Sequence, residues 1–343
     1  MKLKLLIISA ALFFSVNAHA TLAGKNVILV HGHIFDHLET RPSFDERIAV
    51  GDEYWLEFWA SRAEATMVYP SFGRVRGLIK DDVRRQFLEY QESGLCADGC
   101  IFITHSTGDL VLRDALTRLN QWGIDQTRFK ILSVIDIAGA GGGTGLADLA
   151  VNVARDGGVV SGVVQAIAGG VIGTDFEPEN LGVLNDLRVA NARSIAQQNN
   201  VFPRLRVTGA GDDFLRITKG FIQGFDDSVV GLHSACGARF AGNVESCSNS
   251  VRSDGRVAGA NGPDSLLHNH FPIIMGDSAD HSELISNERS GGTLTTVENN
   301  TNIGGLEVDF ETSTRRRWFR TFREIDNSAN QSVSATVFQT LNN

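Results

Sequence analysis

The sequence predicts an α/β fold built on a mostly parallel central sheet, with helices on both faces. Short apolar segments alternate with segments of helical periodicity, and several of the apolar segments end in glycine-rich turns. This alternation is typical of parallel sheets, whose strands are buried on both faces. A chain of 343 residues is long enough for one such domain with insertions, or for two domains.

The predicted elements follow one another at the spacing expected of such a sheet. Residues that come directly after the strands are candidates for a site, because ligands bind at the carboxyl ends of parallel strands. Strands are predicted at 26–30, around 66–69, from 101 into a tight turn, at 131–137 and at 205–208, with helices over 81–90 and 110–119.

The turn after the third strand carries the most specific motif of the chain. Ser106 lies at its apex, between an apolar strand and a helical pattern, with Gly108 two residues later and Thr104 where G-x-S-x-G has its first glycine. Such an elbow exposes the serine hydroxyl and aims the unpaired N–H groups of the next helix at an oxyanion. The motif predicts that Ser106 is a nucleophile. The alternative is an ordinary serine N-cap.

The N-terminal residues 1–20 have the pattern of a secretory signal peptide. Lys2 and Lys4 precede an apolar run, and a small-x-small site ends at Ala20. The sequence therefore predicts an exported protein, periplasmic or extracellular, with a mature domain over 21–343. Within it we expect an apolar helical lid or cap insertion over about 144–184, a glycine-rich loop excursion over about 238–275 and a C-terminal extension over about 286–343. The alternative for the insertion is one more pair of core helices.

Charge and cysteine content narrow the class further. The formal net charge of −9 argues against a nucleic-acid partner. The four cysteines form two local pairs, and in an exported protein they favour the disulfides Cys96–Cys100 and Cys236–Cys247. A four-cysteine zinc site is the alternative, but the spacings do not match the usual zinc-ribbon pattern.

A serine nucleophile needs a histidine base and a carboxylate that orients it, in the chain order serine, acid, histidine for this elbow. Several residues after Ser106 meet the requirement. The candidate acids are Asp212, Asp213, Asp226 and Asp227, and the candidate bases are His233, His268, His270 and His281.

Scattered motifs in shared order resemble the secreted true lipases of bacteria, the Pseudomonas/Burkholderia type, and so imply an α/β-hydrolase fold. Asp226 to Gly237 is similar to that family's Asn-Asp-Gly-Leu-Val segment, and Val30-His31-Gly32 resembles its oxyanion segment. Val75-Arg76-Gly77 and the stretch 180–192 match further pieces. The resemblance spans roughly residues 25–290.

Carried over by position, the resemblance implies a catalytic triad of Ser106, Asp227 and His281. The histidine lies in Asp280-His281-Ser282-Glu283, similar to the family's Asn-His-Leu-Asp-Glu. Asp212 stays the alternative acid, and His268 or His270 the alternative base.

The same resemblance implies three further features. The oxyanion hole would use the backbone N–H groups of His33 and Thr107. A structural calcium would be held by Asp212 or Asp213 with Glu283, although the family has aspartate at the last position. Some members of the family need a dedicated folding chaperone. No cofactor is required for the chemistry.

The leading functional prediction is a secreted serine ester hydrolase, a lipase acting on lipid or other acyl esters at a lipid–water interface. The first alternative is a non-enzymatic exported protein that binds lipid or a partner on the same fold. The second is an NAD-dependent oxidoreductase, suggested by the glycine-dense segment 139–145. That segment does not complete G-x-G-x-x-G, because Thr144 stands where the last glycine should be.

Overall fold

A computed structural model describes most of the chain. The described residues are 21–156, 181–196, 202–211, 217–238, 240–242, 256–257, 270–276, 279–289, 291–297, 299–317 and 319–342. The predicted signal peptide lies outside them, as do residues 157–180 of the predicted insertion and most of the excursion at 238–275.

Nine strands of the described chain form one sheet, and the other two form a separate hairpin. The strands are β1 (Asn26–Val30), β2 (Ala65–Met67), β3 (Cys100–His105), β4 (Ile131–Ile137), β5 (Arg204–Gly209), β6 (His270–Gly276), β7 (Leu294–Thr296), β8 (Thr301–Ile303), β9 (Leu306–Val308), β10 (Thr312–Arg317) and β11 (Arg320–Ile325).

The helices of the described chain lie between these strands or follow them. They are α1 (His37–Thr40), α2 (Phe44–Tyr54), α3 (Leu56–Ala60), α4 (Lys80–Ser93), α5 (Thr107–Leu116), α6 (Leu119–Trp122), α7 (Gly145–Asp156), α8 (Leu184–Leu187), α9 (Val189–Ala196), α10 (Leu232–Ala235) and α11 (Val333–Leu341).

The sheet has the order β10-β11-β7-β6-β5-β4-β3-β1-β2. The six strands from β2 to β6 are parallel, and β7, β11 and β10 add antiparallel partners beyond β6. The carboxyl ends of the parallel strands therefore share one edge. The strands predicted at 26–30 and 131–137 match β1 and β4, and the predicted mostly parallel α/β fold is confirmed.

Alternate residues of the central strands bury against opposite faces of the sheet. In β1, Ile28 and Val30 join the cluster under α4 and α5, whereas Val27 and Leu29 join the cluster with Trp59 and α11. Both faces are thus covered, which explains why these strands are continuous apolar runs in the sequence.

The amphipathic helix predicted over 81–90 corresponds to α4. Asp81 and Asp82 favour its first turn through the helix dipole, and Gly94 ends it in the left-handed conformation at φ 74°. Val83 and Phe87 are its buried apolar residues.

The cysteine predictions are partly tested. Cys96 and Cys100 form a disulfide, which confirms the first pairing and removes the zinc alternative for these two residues. Cys236 is also disulfide-bonded, but Cys247 lies outside the described residues. Within the described part of the chain, no helix is long and apolar enough to cross a membrane.

Candidate active site

Ser106 occupies a sharp turn between β3 and α5. Its backbone has φ 55° and ψ −122°, a conformation that costs energy in any residue other than glycine and that clusters at functional sites. The turn is held by the Ser106 N–H, which donates to Ile137 O at 3.1 Å, and by the Ala140 N–H, which donates to Ser106 O at 2.9 Å. The side chain makes no capping hydrogen bond to the helix. Ser106 therefore stands at the N-cap position of α5 without the side-chain hydrogen bond of an ordinary serine cap.

The small residues around Ser106 have separate packing reasons. A Cβ on Gly108 would overlap the carbonyl oxygens of Val30 and His31, so glycine lets α5 approach β1. Thr104, which departs from the usual motif, is fully buried, and its hydroxyl donates to Asp136 Oδ1 at 3.2 Å. A small hydrogen-bonding residue therefore replaces the first glycine without opening the turn.

The segment after β1 lies against Ser106. A Cβ built on Gly32 would come within 2.9 Å of Ser106 Cβ, so His33 follows a glycine that touches the serine. Thr107 is the first residue of α5, where a backbone N–H has no intrahelical acceptor. Both amides predicted for the oxyanion hole thus belong to segments that meet at Ser106.

The side chain of His31 hydrogen-bonds to that segment and to Tyr69. Its Nδ1 lies 2.6 Å from Gly32 O, and its Nε2 lies 3.2 Å from the N–H of Tyr69. The carbonyl requires a donor at Nδ1 and the amide requires an acceptor at Nε2, so the ring is neutral with its hydrogen on Nδ1. Burial lowers the pKa of His31 to about 3. These contacts fit a structural histidine.

Asp227 and His281 are brought together at the carboxyl edge of the sheet. His281 Nδ1 lies 2.9 Å from Asp227 Oδ2, and the His281 backbone N–H donates to Asp227 O at 3.0 Å. Asp227 Oδ1 accepts the backbone N–H groups of Val229 at 3.0 Å and Val230 at 2.7 Å. The carboxylate is 1% exposed, so its orientation is fixed by three donors.

The acid–histidine pair lies beside the elbow. The rings of His105 and His281 are 4.5 Å apart between centroids, and His105 Nε2 lies 3.0 Å from His281 O. Because Ser106 directly follows His105, the structure places the serine, the histidine and the acid in one region.

The alternative site residues are placed differently. His270 begins β6 and pairs with Arg204 at the start of β5, which is the amino end of the strands. Seven residues of β6 span roughly 20 Å, so His270 lies at the edge opposite Ser106. Asp212, Asp213 and His268 lie outside the described residues. Their assignments stay predictions.

The calcium prediction is tested only in part. Glu283 Oε2 accepts the Asp280 N–H at 3.2 Å, within its own loop. Among the described residues, no group of three or more His, Cys, Asp or Glu is placed to hold a metal ion. The other predicted ligands, Asp212 and Asp213, are not described, so no step of the chemistry is assigned to calcium.

A buried ionic cluster behind the elbow was not predicted from the sequence. Asp109 Oδ1 accepts from Arg113 Nε at 2.6 Å and from an Arg204 guanidinium nitrogen at 2.8 Å, and all three side chains are at most 1% exposed. Asp136 lies next to them, and burial raises its pKa to about 6. Charged residues inside the apolar strands β4 and β5 were the available clue, because buried charges require partners.

The space beside the glycine-dense segment after β4 is occupied by carboxylate side chains of the protein. A Cβ on Gly139 would overlap the Asp136 carboxylate, and one on Gly141 would come 2.5 Å from Asp109 Oδ2. Glycines that face carboxylates do not cradle a phosphate, since both are anionic. This geometry argues against the dinucleotide-binding alternative.

The strand order and the elbow define an α/β-hydrolase fold. No family model and no curated protein matches the sequence. Among solved structures, the mature lipase BlEst2 of Bacillus licheniformis is similar at 15% identity and TM-score 0.44, over 78% of this chain and 89% of that one. A metagenomic carboxyl esterase (15%, 0.41) aligns over 77% and 67% of the two chains, and lipase 1 of Pelosinus fermentans (13%, 0.37) over 76% and 92%.

Proposed function

We propose that the protein is a serine hydrolase of carboxylic esters, with Ser106 as nucleophile, His281 as base and Asp227 as the residue that orients the base. The supporting observation is the conjunction of the strained turn at Ser106 with the hydrogen-bonded Asp227–His281 pair beside it. An activated nucleophile, a base and an orienting carboxylate are the parts that acyl transfer needs.

In the proposed reaction the Ser106 Oγ attacks the ester carbonyl carbon while His281 Nε2 takes the hydroxyl proton. The N–H groups of His33 and Thr107 donate to the oxyanion. The tetrahedral intermediate collapses, the carbon–oxygen bond to the alcohol breaks, and Nε2 returns the proton to the leaving alkoxide. Water then attacks the acyl-enzyme in the same way and releases the carboxylic acid and free Ser106.

Asp227 supports the imidazolium that forms in each step. Its Oδ2 accepts the Nδ1 hydrogen of His281, and the two N–H donors on Oδ1 prevent the carboxylate from rotating away. The hydrogen bond also keeps the ring hydrogen on Nδ1, which leaves Nε2 free to accept a proton.

We infer a preference for esters of apolar acyl chains, and hence a lipase. The inference rests on the apolar composition of 144–184 and not on helix α7, which opens this insertion, because its residues Leu146, Ala147, Ala150 and Val151 are buried in the protein's own core. The continuing stretch at 157–180 lies outside the described residues, so the lid stays a prediction. Export is likewise proposed from residues 1–20, and mass spectrometry of the mature protein should find Thr21 at its N-terminus.

The decisive experiment compares wild-type protein with Ser106→Ala on p-nitrophenyl esters of two, four and sixteen carbons. Loss of at least about 10³-fold in kcat is expected when the nucleophile is removed. Ser93→Ala, on the surface at the end of α4, is the matched control and should leave kcat unchanged. Activity of Ser106→Ala near the wild-type level would refute the assignment.

A fluorophosphonate probe separates this proposal from the non-enzymatic alternative. Only an activated serine reacts readily with such a probe, so wild-type protein should be labelled and Ser106→Ala should not. A wild-type protein that is neither labelled nor active on any ester would favour a lipid- or partner-binding role on the same fold.

A further inference from the structure

Tyr54 connects two of the segments that meet at Ser106. It is the last residue of α2, and its hydroxyl is hydrogen-bonded to His105 Nδ1. The same oxygen lies against Gly32, where an added Cβ would overlap it. A side chain from outside the sheet therefore touches both the segment proposed for the oxyanion hole and the residue before the nucleophile.

The hydrogen on the His105 ring is fixed by its neighbours. Nε2 faces His281 O at 3.0 Å, and a carbonyl oxygen only accepts, so Nε2 carries the hydrogen. Nδ1 is then an acceptor, and the Tyr54 hydroxyl donates to it. Burial lowers the pKa of His105 well below its ordinary value, which matches a neutral ring with one N–H.

His281 is consequently held by its main chain from two sides. Its N–H donates to Asp227 O at 3.0 Å, and its carbonyl oxygen accepts from His105 Nε2. The first contact ties the histidine to the acid, and the second ties it to the elbow. Without the second, the Asp227–His281 unit keeps its internal hydrogen bonds but loses a fixed position relative to Ser106.

We propose that His105 and Tyr54 are positioning residues, which hold the main chain of His281 in register with Ser106 through a Tyr54–His105–His281 chain of hydrogen bonds. The proposal rests on the catalytic function proposed above. Neither residue reacts, and neither needs to touch the ester.

Two polar substitutions of His105 distinguish its contact with His281 O from its contact with Tyr54. In His105→Gln the side-chain amide reaches the place of Nε2 and still donates to His281 O. In His105→Asn the amide ends near the place of Nδ1 and contacts Tyr54 but not His281. His105→Leu removes both contacts and keeps the apolar volume.

The expected order of kcat follows from which contact survives. His105→Gln should stay within about threefold of wild type, whereas His105→Asn and His105→Leu should fall about 10²-fold, as a displacement near 1 Å does. KM should be unchanged, and the rate of fluorophosphonate labelling should fall in parallel with kcat. Tyr54→Phe removes one hydrogen bond worth about 1 kcal/mol and should lower kcat about tenfold, and Tyr90→Phe, away from the site, is its control.

A spectroscopic readout distinguishes positioning from a general loss of structure. The hydrogen between His281 Nδ1 and Asp227 gives a low-field proton resonance, and His105→Leu should keep it while losing activity, because the Asp227–His281 unit is intact. Loss of the resonance in that variant would overturn the proposal, since the effect would then be structural.

Two kinetic results would also overturn the proposal that His105 and Tyr54 position His281. One is His105→Leu near wild-type activity, and the other is His105→Gln as impaired as His105→Leu. These results are distinguishable from failure of the proposed function, in which Ser106→Ala itself keeps activity or wild-type protein has none.

Discussion

Replacing Asp227 by asparagine tests the proposed acid through the direction of one hydrogen bond. The two backbone donors from Val229 and Val230 converge on Oδ1, so the amide oxygen of the variant must occupy that place. Its NH₂ group then takes the place of Oδ2 and faces His281 Nδ1, 2.9 Å away in the native site. Nδ1 becomes an acceptor, the ring hydrogen moves to Nε2, and His281 can no longer take a proton from Ser106.

The expected loss in kcat is about 10⁴-fold, the size known for an acid-to-amide change that traps the wrong tautomer in a serine triad. This equals about 5 kcal/mol in the activation barrier. Stability should change by less than about 1 kcal/mol, because the amide is isosteric and keeps both backbone hydrogen bonds. Initial rates on p-nitrophenyl butyrate and urea denaturation measure the two quantities.

Two further variants show whether the loss of activity in Asp227→Asn is specific to the proposed acid. Asp98→Asn, on an exposed loop, should leave kcat within about twofold and stability unchanged. Asp212→Asn tests the alternative acid in the same assay. If Asp227→Asn keeps more than a tenth of the activity while Asp212→Asn loses it, the tautomer argument is wrong and Asp212 is the acid.

Three other changes have consequences of different kinds. Gly32→Ala places a methyl group in overlap with the Tyr54 hydroxyl and 2.9 Å from the serine Cβ. It should cost about 1–3 kcal/mol in unfolding free energy and about 10²-fold in kcat, whereas Gly220→Ala, with open space around it, should change neither. Asp109→Asn takes from the buried Arg113 and Arg204 their nearest carboxylate and leaves them Asp136, at 3.5 and 3.8 Å. The change should cost about 3–5 kcal/mol in urea denaturation, and a cost below about 1 kcal/mol would contradict this. Burial lowers the pKa of five histidines: to about 3 for His31 and His33, to about 4 for His37 and His233, and well below normal for His105. Unfolding therefore takes up protons at these five groups as the pH falls below 6.5, whereas Asp136, whose pKa burial raises to about 6, releases one. The unfolding free energy should fall ever more steeply from pH 6.5, reaching about 5 kcal/mol per pH unit near pH 5, and a flat profile in this window would refute it.

The features that were predicted correctly depend on local sequence. β1 and β4 are continuous apolar runs because both of their faces are buried. The turn at Ser106 is encoded by the serine, Gly108 and the strand before them. In such cases the residues that determine the structure are adjacent in the chain, so a single sequence is sufficient.

The features that were missed depend on contacts between distant segments. The strands β10 and β11 extend the sheet, yet their segment is rich in polar residues, because edge strands face solvent and charged side chains there discourage further pairing. The alternation in Arg204-Leu205-Arg206 suggests outward-facing arginines, but both are buried in the ionic cluster, Arg204 beside Asp109 and Arg206 beside Asp136. Tyr54 lies 51 residues before His105, and no local pattern marks it.

Contacts between neighbouring residues and contacts between distant segments have different roles in the proposed site. Asp227 and His281 are 54 residues apart, but side-chain and main-chain hydrogen bonds join them, so the acid and the base move as one unit. The nucleophile belongs to another unit, formed by β3 and α5. The proposed catalysis requires the two units to stay in register, and His105 is a residue of the second unit that hydrogen-bonds to the first. The strained turn at Ser106 therefore has a second consequence, because the same turn that presents the hydroxyl also directs the preceding histidine toward the carbonyl of His281.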